Sequence, residues 1–64
     1  MFKKTDKNNA KYRVVLVEGT TVLARIYYKS LYLAHRKASE LRRVFGVDNV
    51  QIIDNKKETV IEGL

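Results

Sequence analysis

One segment limits the fold of this chain more than any other: it runs from Ser30 to Gly46, and apolar residues recur in it at helical spacing. These residues are Leu31, Ala34, Ala38, Leu41 and Phe45. Serine is a favoured N-cap, and a glycine just after the last periodic residue is typical of a helix end. The pattern predicts an amphipathic helix over residues 31–45, which must bury its apolar stripe against another element.

Segments of strand composition lie on both sides of this helix. Residues 11–18 and 21–28 are rich in Val, Leu, Ile and Tyr, and Gly19-Thr20 between them predicts a β-hairpin. Residues 49–54 predict a third strand, residues 55–57 a turn and residues 58–61 a short fourth strand. This order predicts an α+β fold, β-β-α-β-(β), with one helix on one face of a three- to four-stranded antiparallel sheet. A right-handed crossover makes the first strand central.

The register of the hairpin has two readings, and a slip of one residue moves every side chain of a strand to the other face. A two-residue Gly19-Thr20 turn groups Val15 and Val17 with Val22, Ala24, Ile26 and Tyr28. A bulged three-residue loop instead groups Tyr12, Val14 and Leu16 with that set, and leaves Lys11, Arg13, Val15 and Val17 beside Leu23, Arg25 and Tyr27. The bulged reading is favoured because it exposes the charged residues.

The chain has 64 residues and no cysteine, which indicates one small domain with neither disulfides nor thiolate metal sites. A domain of this size buries only about 60% of its unfolded surface, so no deep active-site cleft is expected. Residues 1–10 predict a flexible basic arm before a single domain of residues 11–64. With no apolar run of about 20 residues and no secretion signal, we expect a cytoplasmic protein that does not contact membranes.

Charge is distributed unevenly along the chain. Residues 1–47 hold eleven Lys and Arg against three acids, a net of +8, whereas residues 48–64 hold two against four, a net of −2. A basic body with an acidic end indicates a negatively charged partner. Composition alone does not choose among nucleic acid, an anionic membrane and an acidic protein surface.

Part of the positive charge falls on one arc of the predicted helix, beside the apolar stripe. We call this arc the helix strip; it contains Tyr32, His35, Arg36, Ser39, Arg42 and Arg43. A basic strip of this kind can follow a phosphate backbone, with Tyr32 available for stacking. The alternative is an ordinary solvated helix face, with Arg42 and Arg43 favoured by the helix dipole. Lys3 and Lys4 of the arm would supplement the phosphate contacts, unless the arm only aids solubility.

The opposite side of the predicted molecule is a sheet surface without a helix. We call it the open sheet face; it contains Arg13, Val15, Val17, Leu23, Arg25 and Tyr27. A surface that mixes arginine with aromatic and aliphatic groups is suited to a protein partner, and we expect Arg13, Leu23, Arg25 and Tyr27 to make that contact. Self-association through this face and coverage by the arm are the alternatives.

Catalysis finds little support in the sequence. His35 and Ser39 are four residues apart on the helix, but no carboxylate is placed to orient the histidine. One histidine and no cysteine make no metal-ligand cluster, and the three glycines form no phosphate-binding loop. We therefore expect a protein that is not an enzyme, with no cofactor, no metal and no small-molecule substrate.

The segments YRVVLVEG, TVLARIYY, SLYLAHRKASEL and NVQIID, within residues 11–54, resemble in layout the small proteins with which bacteriophages take over or inhibit a host. A phage inhibitor of bacterial RNA polymerase and some anti-CRISPR proteins are similar in element order and in the Ser30-Leu31, Ala34, Ala38 spacing. The resemblance implies stoichiometric binding to a host macromolecule and identifies no functional residue. Several such inhibitors are acidic mimics of nucleic acid, whereas this chain is basic.

Two hypotheses follow from the sequence. The first is a nucleic-acid-binding protein that uses Arg36, Arg42, Arg43, Lys3, Lys4 and Tyr32. The second is a protein-interaction module, such as a phage-type inhibitor, that binds an acidic host protein through the open sheet face. A homodimer through the same face is the third outcome.

Overall fold

A computed structural model describes residues 9–62 of the chain. Its elements are β1 (Tyr12–Glu18), β2 (Thr21–Tyr28), α1 (Leu31–Phe45), a short 3-10 turn (Val47–Asn49), β3 (Val50–Asp54) and β4 (Thr59–Glu62). The four strands form an antiparallel sheet in the order β2-β1-β3-β4, and α1 packs on one of its faces. The predicted α+β fold, the bounds of the helix and the central position of the first strand are confirmed.

The hairpin combines features of both predicted registers. Glu18 lies opposite Thr21, so Gly19 and Thr20 form a two-residue turn, and the predicted three-residue loop is wrong. The φ of 63° at Gly19 suits the first position of a type II′ turn. The extra residue is absorbed inside β2 instead, where Val22 and Leu23 together oppose the single residue Val17.

Because of this bulge, most side chains of the hairpin lie on the faces of the sheet that the bulged reading predicted. Beyond it, Tyr12, Val14 and Leu16 pair with Tyr28, Ile26 and Ala24, while Arg13 and Val15 pair with Tyr27 and Arg25. Val22 is the exception, because it lies opposite Val17 rather than with the set that faces the helix. The open sheet face and the helix-covered face are therefore separated as expected.

The core lies between α1 and the sheet. Its residues are Val14, Leu16, Tyr28, Ala34, Ala38, Val50 and Ile52. The two helix alanines are fully buried, and because they carry only a methyl group they allow α1 to approach β1 and β3 closely. Phe45, predicted to belong to the buried stripe, is instead 46% exposed. It lies in the last turn of α1, beside the Val47–Asn49 turn, and is not packed on the core.

Both ends of α1 are capped by specific hydrogen bonds. The Ser30 Oγ accepts from the backbone N–H of Leu33 at 3.4 Å, as the predicted N-cap requires. At the other end, the Gly46 N–H donates to the Arg42 carbonyl at 2.9 Å, and Asn49 Nδ2 donates to the Phe45 carbonyl at 2.6 Å. These bonds satisfy terminal backbone groups that would otherwise need water, so they fix where the helix stops.

The packed part of the chain reaches back to Ala10, which is fully buried. Its carbonyl accepts from Asn55 Nδ2 at 3.1 Å, and the Lys11 N–H donates to the Tyr28 carbonyl at 3.1 Å. Ala10 thus packs although it belongs to the segment predicted as an arm. Of the rest of that segment, Asn9 is exposed and residues 1–8 lie outside the described residues.

Candidate nucleic-acid interface

Most of the helix strip lines one shallow open depression of about 400 Å³ on the surface of α1. Its lining side chains are Tyr32, His35, Arg36, Ser39, Glu40 and Arg43. Five of these belong to the helix strip, so the rotation of about 100° per residue placed them together correctly. The depression offers two guanidinium groups, a hydroxyl and an imidazole beside an aromatic ring, which is a chemistry suited to phosphate and base contacts.

Tyr32 and Arg36 form a cation–π contact at one end of this depression. The guanidinium carbon of Arg36 lies 5.9 Å from the centroid of the Tyr32 ring, within the range of a cation–π contact. They are one helical turn apart, which is the spacing at which side chains on a helix meet. Tyr32 is 66% exposed, so most of the surface of its side chain contacts water.

The single acid in the depression, Glu40, is engaged by a lysine. Lys37 Nζ lies 2.9 Å from the Glu40 Oε1, and this hydrogen bond lowers the pKa of Glu40 and raises that of Lys37. Weaker attraction from Arg36 and Arg43 lowers the pKa of Glu40 further. Glu40 is therefore ionised at neutral pH, but Lys37 compensates its charge and leaves the arginines dominant in the strip.

Arg42 has a different role from the other arginines of the strip. It is half-buried, it is not part of the lining, and its Nη2 donates to the backbone carbonyl of Val50 at 3.3 Å. Val50 is the first residue of β3, and it precedes the residues of β3 that pair with β4. Arg42 thus ties α1 to the sheet and adds positive charge at the inner edge of the strip.

On the open sheet face, Arg13 is committed to an internal ion pair. Its Nη2 lies 2.7 Å from the Glu58 Oε1, its Nη1 lies 3.1 Å from the Glu58 Oε2, and Nη1 also donates to the Asn55 Oδ1 at 2.9 Å. This bidentate contact lowers the pKa of Glu58 and raises that of Arg13. A partner that recruited Arg13 would have to compete with Glu58.

The other predicted contact residues of the open sheet face differ in exposure. Leu23 is 52% exposed at the bulge and Arg25 is exposed, whereas Tyr27 is half-buried beside Arg13. Val15 is only 5% exposed, so it does not contribute the exposed aliphatic surface that the sequence suggested. Exposed apolar side chains on this side lie at Val22 and Leu23 near the turn and at Val60 of β4, which is 55% exposed and reaches this face because Arg13 pairs with Ile53 and Ile53 with Val60.

An exposed apolar group at the end of α1 was not anticipated. Val44, Phe45 and Val47 are all exposed, with Val44 at 72%. Val44 lies off the helical stripe and Val47 lies beyond the helix, so neither follows the period that predicts burial. The arm residues Lys3 and Lys4 lie outside the described residues, so the structure does not position them.

Residues 9–62 show no group of three or more histidine, cysteine or acidic side chains placed to hold a metal ion. No helix in that range has the length and apolarity needed to cross a membrane. Comparison with protein-family models, with curated proteins and with solved structures finds no match for this chain.

Proposed function

We propose that this protein is a non-enzymatic nucleic-acid-binding protein that contacts phosphates through the helix strip. The observation that carries the proposal is the depression in which Arg36 and Arg43 lie with Tyr32, His35 and Ser39. Guanidinium groups bind phosphate through paired N–H donors, and the hydroxyl and imidazole add further hydrogen-bonding groups. The net charge of +6 supports attraction to a polyanion at long range.

The salt dependence of binding tests this proposal. If about five phosphates are contacted, with Lys3 and Lys4 of the arm among the cations, log affinity falls with log salt at a slope of about −4. We would measure fluorescence anisotropy of labelled duplex and single-stranded oligonucleotides between about 50 and 200 mM salt. Absence of binding to every probe at the lowest salt would overturn the proposal.

Arg43 and Arg25 provide a matched pair of variants that locates the site. Both are exposed, and the two substitutions to Glu change the net charge equally, but Arg43 lies in the depression and Arg25 on the other side of the sheet. Arg43→Glu should weaken binding by roughly tenfold and reduce the salt slope by about 1, since it removes a phosphate contact. Arg25→Glu should change affinity by no more than about threefold, because the charge is remote and screened. Equal losses would exclude the helix strip as the site.

A second candidate function is a protein-interaction module, such as a phage-type inhibitor, using the open sheet face. The exposed Val22 and Leu23 at the hairpin turn favour it, since adjacent exposed apolar groups are typical of interaction surfaces. Leu23→Ser combined with Tyr27→Ser preserves charge and should abolish binding to an acidic host protein while sparing nucleic-acid binding. Light scattering on the same proteins tests the homodimer, since only the unchanged chain would then show the dimer mass.

A further inference from the structure

Tyr32 is the tyrosine of the helix strip, and it lies on the surface of the molecule. The ring is 66% exposed on the first turn of α1 and contributes nothing to the core. The guanidinium of Arg36 lies 5.9 Å from the ring centroid, at the outer range of a cation–π contact. A tyrosine side chain has only two torsions to fix, so it loses little conformational freedom when a planar group stacks on it.

The groups around Tyr32 indicate what kind of molecule would carry the planar group that stacks on the ring. Arg43 lies eleven residues further along α1, which corresponds to about 17 Å, and Ser39 and His35 lie between them. The depression is open to solvent, and about 400 Å³ is in the range of sites for small ligands. A strip of this length accommodates a few linked nucleotides, with phosphates near the arginines and one base against the ring.

Stacking on an exposed tyrosine requires a base that has left its own stack. Bases in a duplex present only their edges in the grooves, whereas bases of a single strand can turn outward onto aromatic side chains. We infer that the helix strip binds single-stranded nucleic acid, with one base stacked on Tyr32 and the adjoining phosphates held by Arg36 and Arg43. The inference rests on the proposed nucleic-acid function and specifies the form of nucleic acid.

The test compares three labelled probes of about ten nucleotides, a length typical of single-strand sites. They are a mixed-sequence single strand, the same backbone without bases, and a duplex, each measured by anisotropy at low salt. The complete protein should bind the mixed strand about tenfold more tightly than the abasic strand, because one stacked base contributes on that order. Deoxy and ribo versions separate DNA from RNA, and stacking on either supports the inference.

Two variants of Tyr32 separate stacking from a structural role. Tyr32→Phe retains the ring and should bind the mixed strand within about twofold of the unchanged protein. Tyr32→Ser removes the ring at similar helix propensity and should lose about tenfold on the mixed strand and nothing on the abasic strand. Circular dichroism of both variants checks that α1 is intact.

Each contrary outcome has a distinct meaning. Equal affinity for the mixed and abasic strands, a preference for the duplex, or an unchanged affinity in Tyr32→Ser would overturn the single-strand inference while leaving phosphate binding in place. Absence of binding to all three probes would overturn the proposed function itself.

Discussion

At the scale of single residues, Gly46 is under the tightest constraint of the positions described. Its backbone angles, φ 103° and ψ 150°, lie in a region that residues with a Cβ rarely adopt. A Cβ built there would meet only Asn49 Nδ2, at 3.8 Å, which is an ordinary contact. The constraint at Gly46 is therefore conformational, and it sets the direction in which the chain leaves α1.

Gly46→Ala should lower the free energy of unfolding by about 1–3 kcal/mol, because alanine must be forced into that backbone conformation. Urea unfolding followed by circular dichroism measures the change. Ser39→Ala, on the exposed side of the same helix, is the control and should alter the free energy of unfolding by no more than about 0.5 kcal/mol. An unchanged unfolding midpoint in Gly46→Ala would show that the end of α1 can adopt another conformation.

At the scale of elements, the distance between α1 and the sheet depends on Ala34 and Ala38. Both are fully buried and face the core residues of β1 and β3. Larger side chains there would push the helix outward, and the Arg42 contact to the Val50 carbonyl would lengthen with it. Close packing of α1 therefore also supports the orientation of the helix strip.

Ala34→Leu should reduce the free energy of unfolding by about 1–3 kcal/mol, the usual cost of overpacking a small core. Ser39→Leu adds similar bulk on the exposed side and should cost no more than about 0.5 kcal/mol. Chemical unfolding of the two variants side by side gives the comparison. Similar stabilities for both would contradict the packing of α1 described above.

The features of α1 were predictable because their signals are local. Ser30 and Gly46 mark its ends, and the helical rotation alone assembles most residues of the helix strip. The bulge at Leu23 was not predictable, since it depends on how the whole of β2 pairs with β1. The ion pair between Arg13 and Glu58 joins residues 45 positions apart, and only the sheet topology brings them together.

At the scale of the whole molecule, a few carboxylates form hydrogen bonds that depend on their negative charge. Glu58 forms an ion pair with Arg13, and Glu40 forms one with Lys37. The Asp54 Oδ1 accepts the backbone N–H groups of Lys57 and Lys56 at 2.9 Å each. The pKa of Glu58 is lowered chiefly by its hydrogen bond with Arg13, and that of Asp54 chiefly by the backbone N–H of Lys57. The Asp54 contacts lie within the turn between β3 and β4, and the Glu58 contact connects this turn to Arg13 of β1.

Acid should therefore destabilise the domain. A carboxyl group whose pKa is lower in the folded state adds stability above its unfolded pKa, near 4, and loses it as pH falls through the folded pKa. Protonation also raises the formal net charge from +6 towards +14, counting 13 Lys and Arg plus one His, which adds repulsion. We expect the thermal midpoint to fall between about pH 6 and pH 3, and added salt to restore part of it at pH 3.

Glu58→Gln separates the ion pair from the general repulsion. At pH 7 the variant should unfold at a lower temperature than the unchanged protein, because Arg13 loses its charged partner. As pH falls below the unfolded pKa of Glu58, near 4, the difference between the two midpoints should shrink towards pH 3, since the unchanged protein progressively loses the charge of Glu58. Glu18→Gln, at an exposed end of β1, should shift the midpoint little at either pH. If the difference between Glu58→Gln and the unchanged protein were the same at both pH values, the Arg13 ion pair would not be the source of the acid sensitivity.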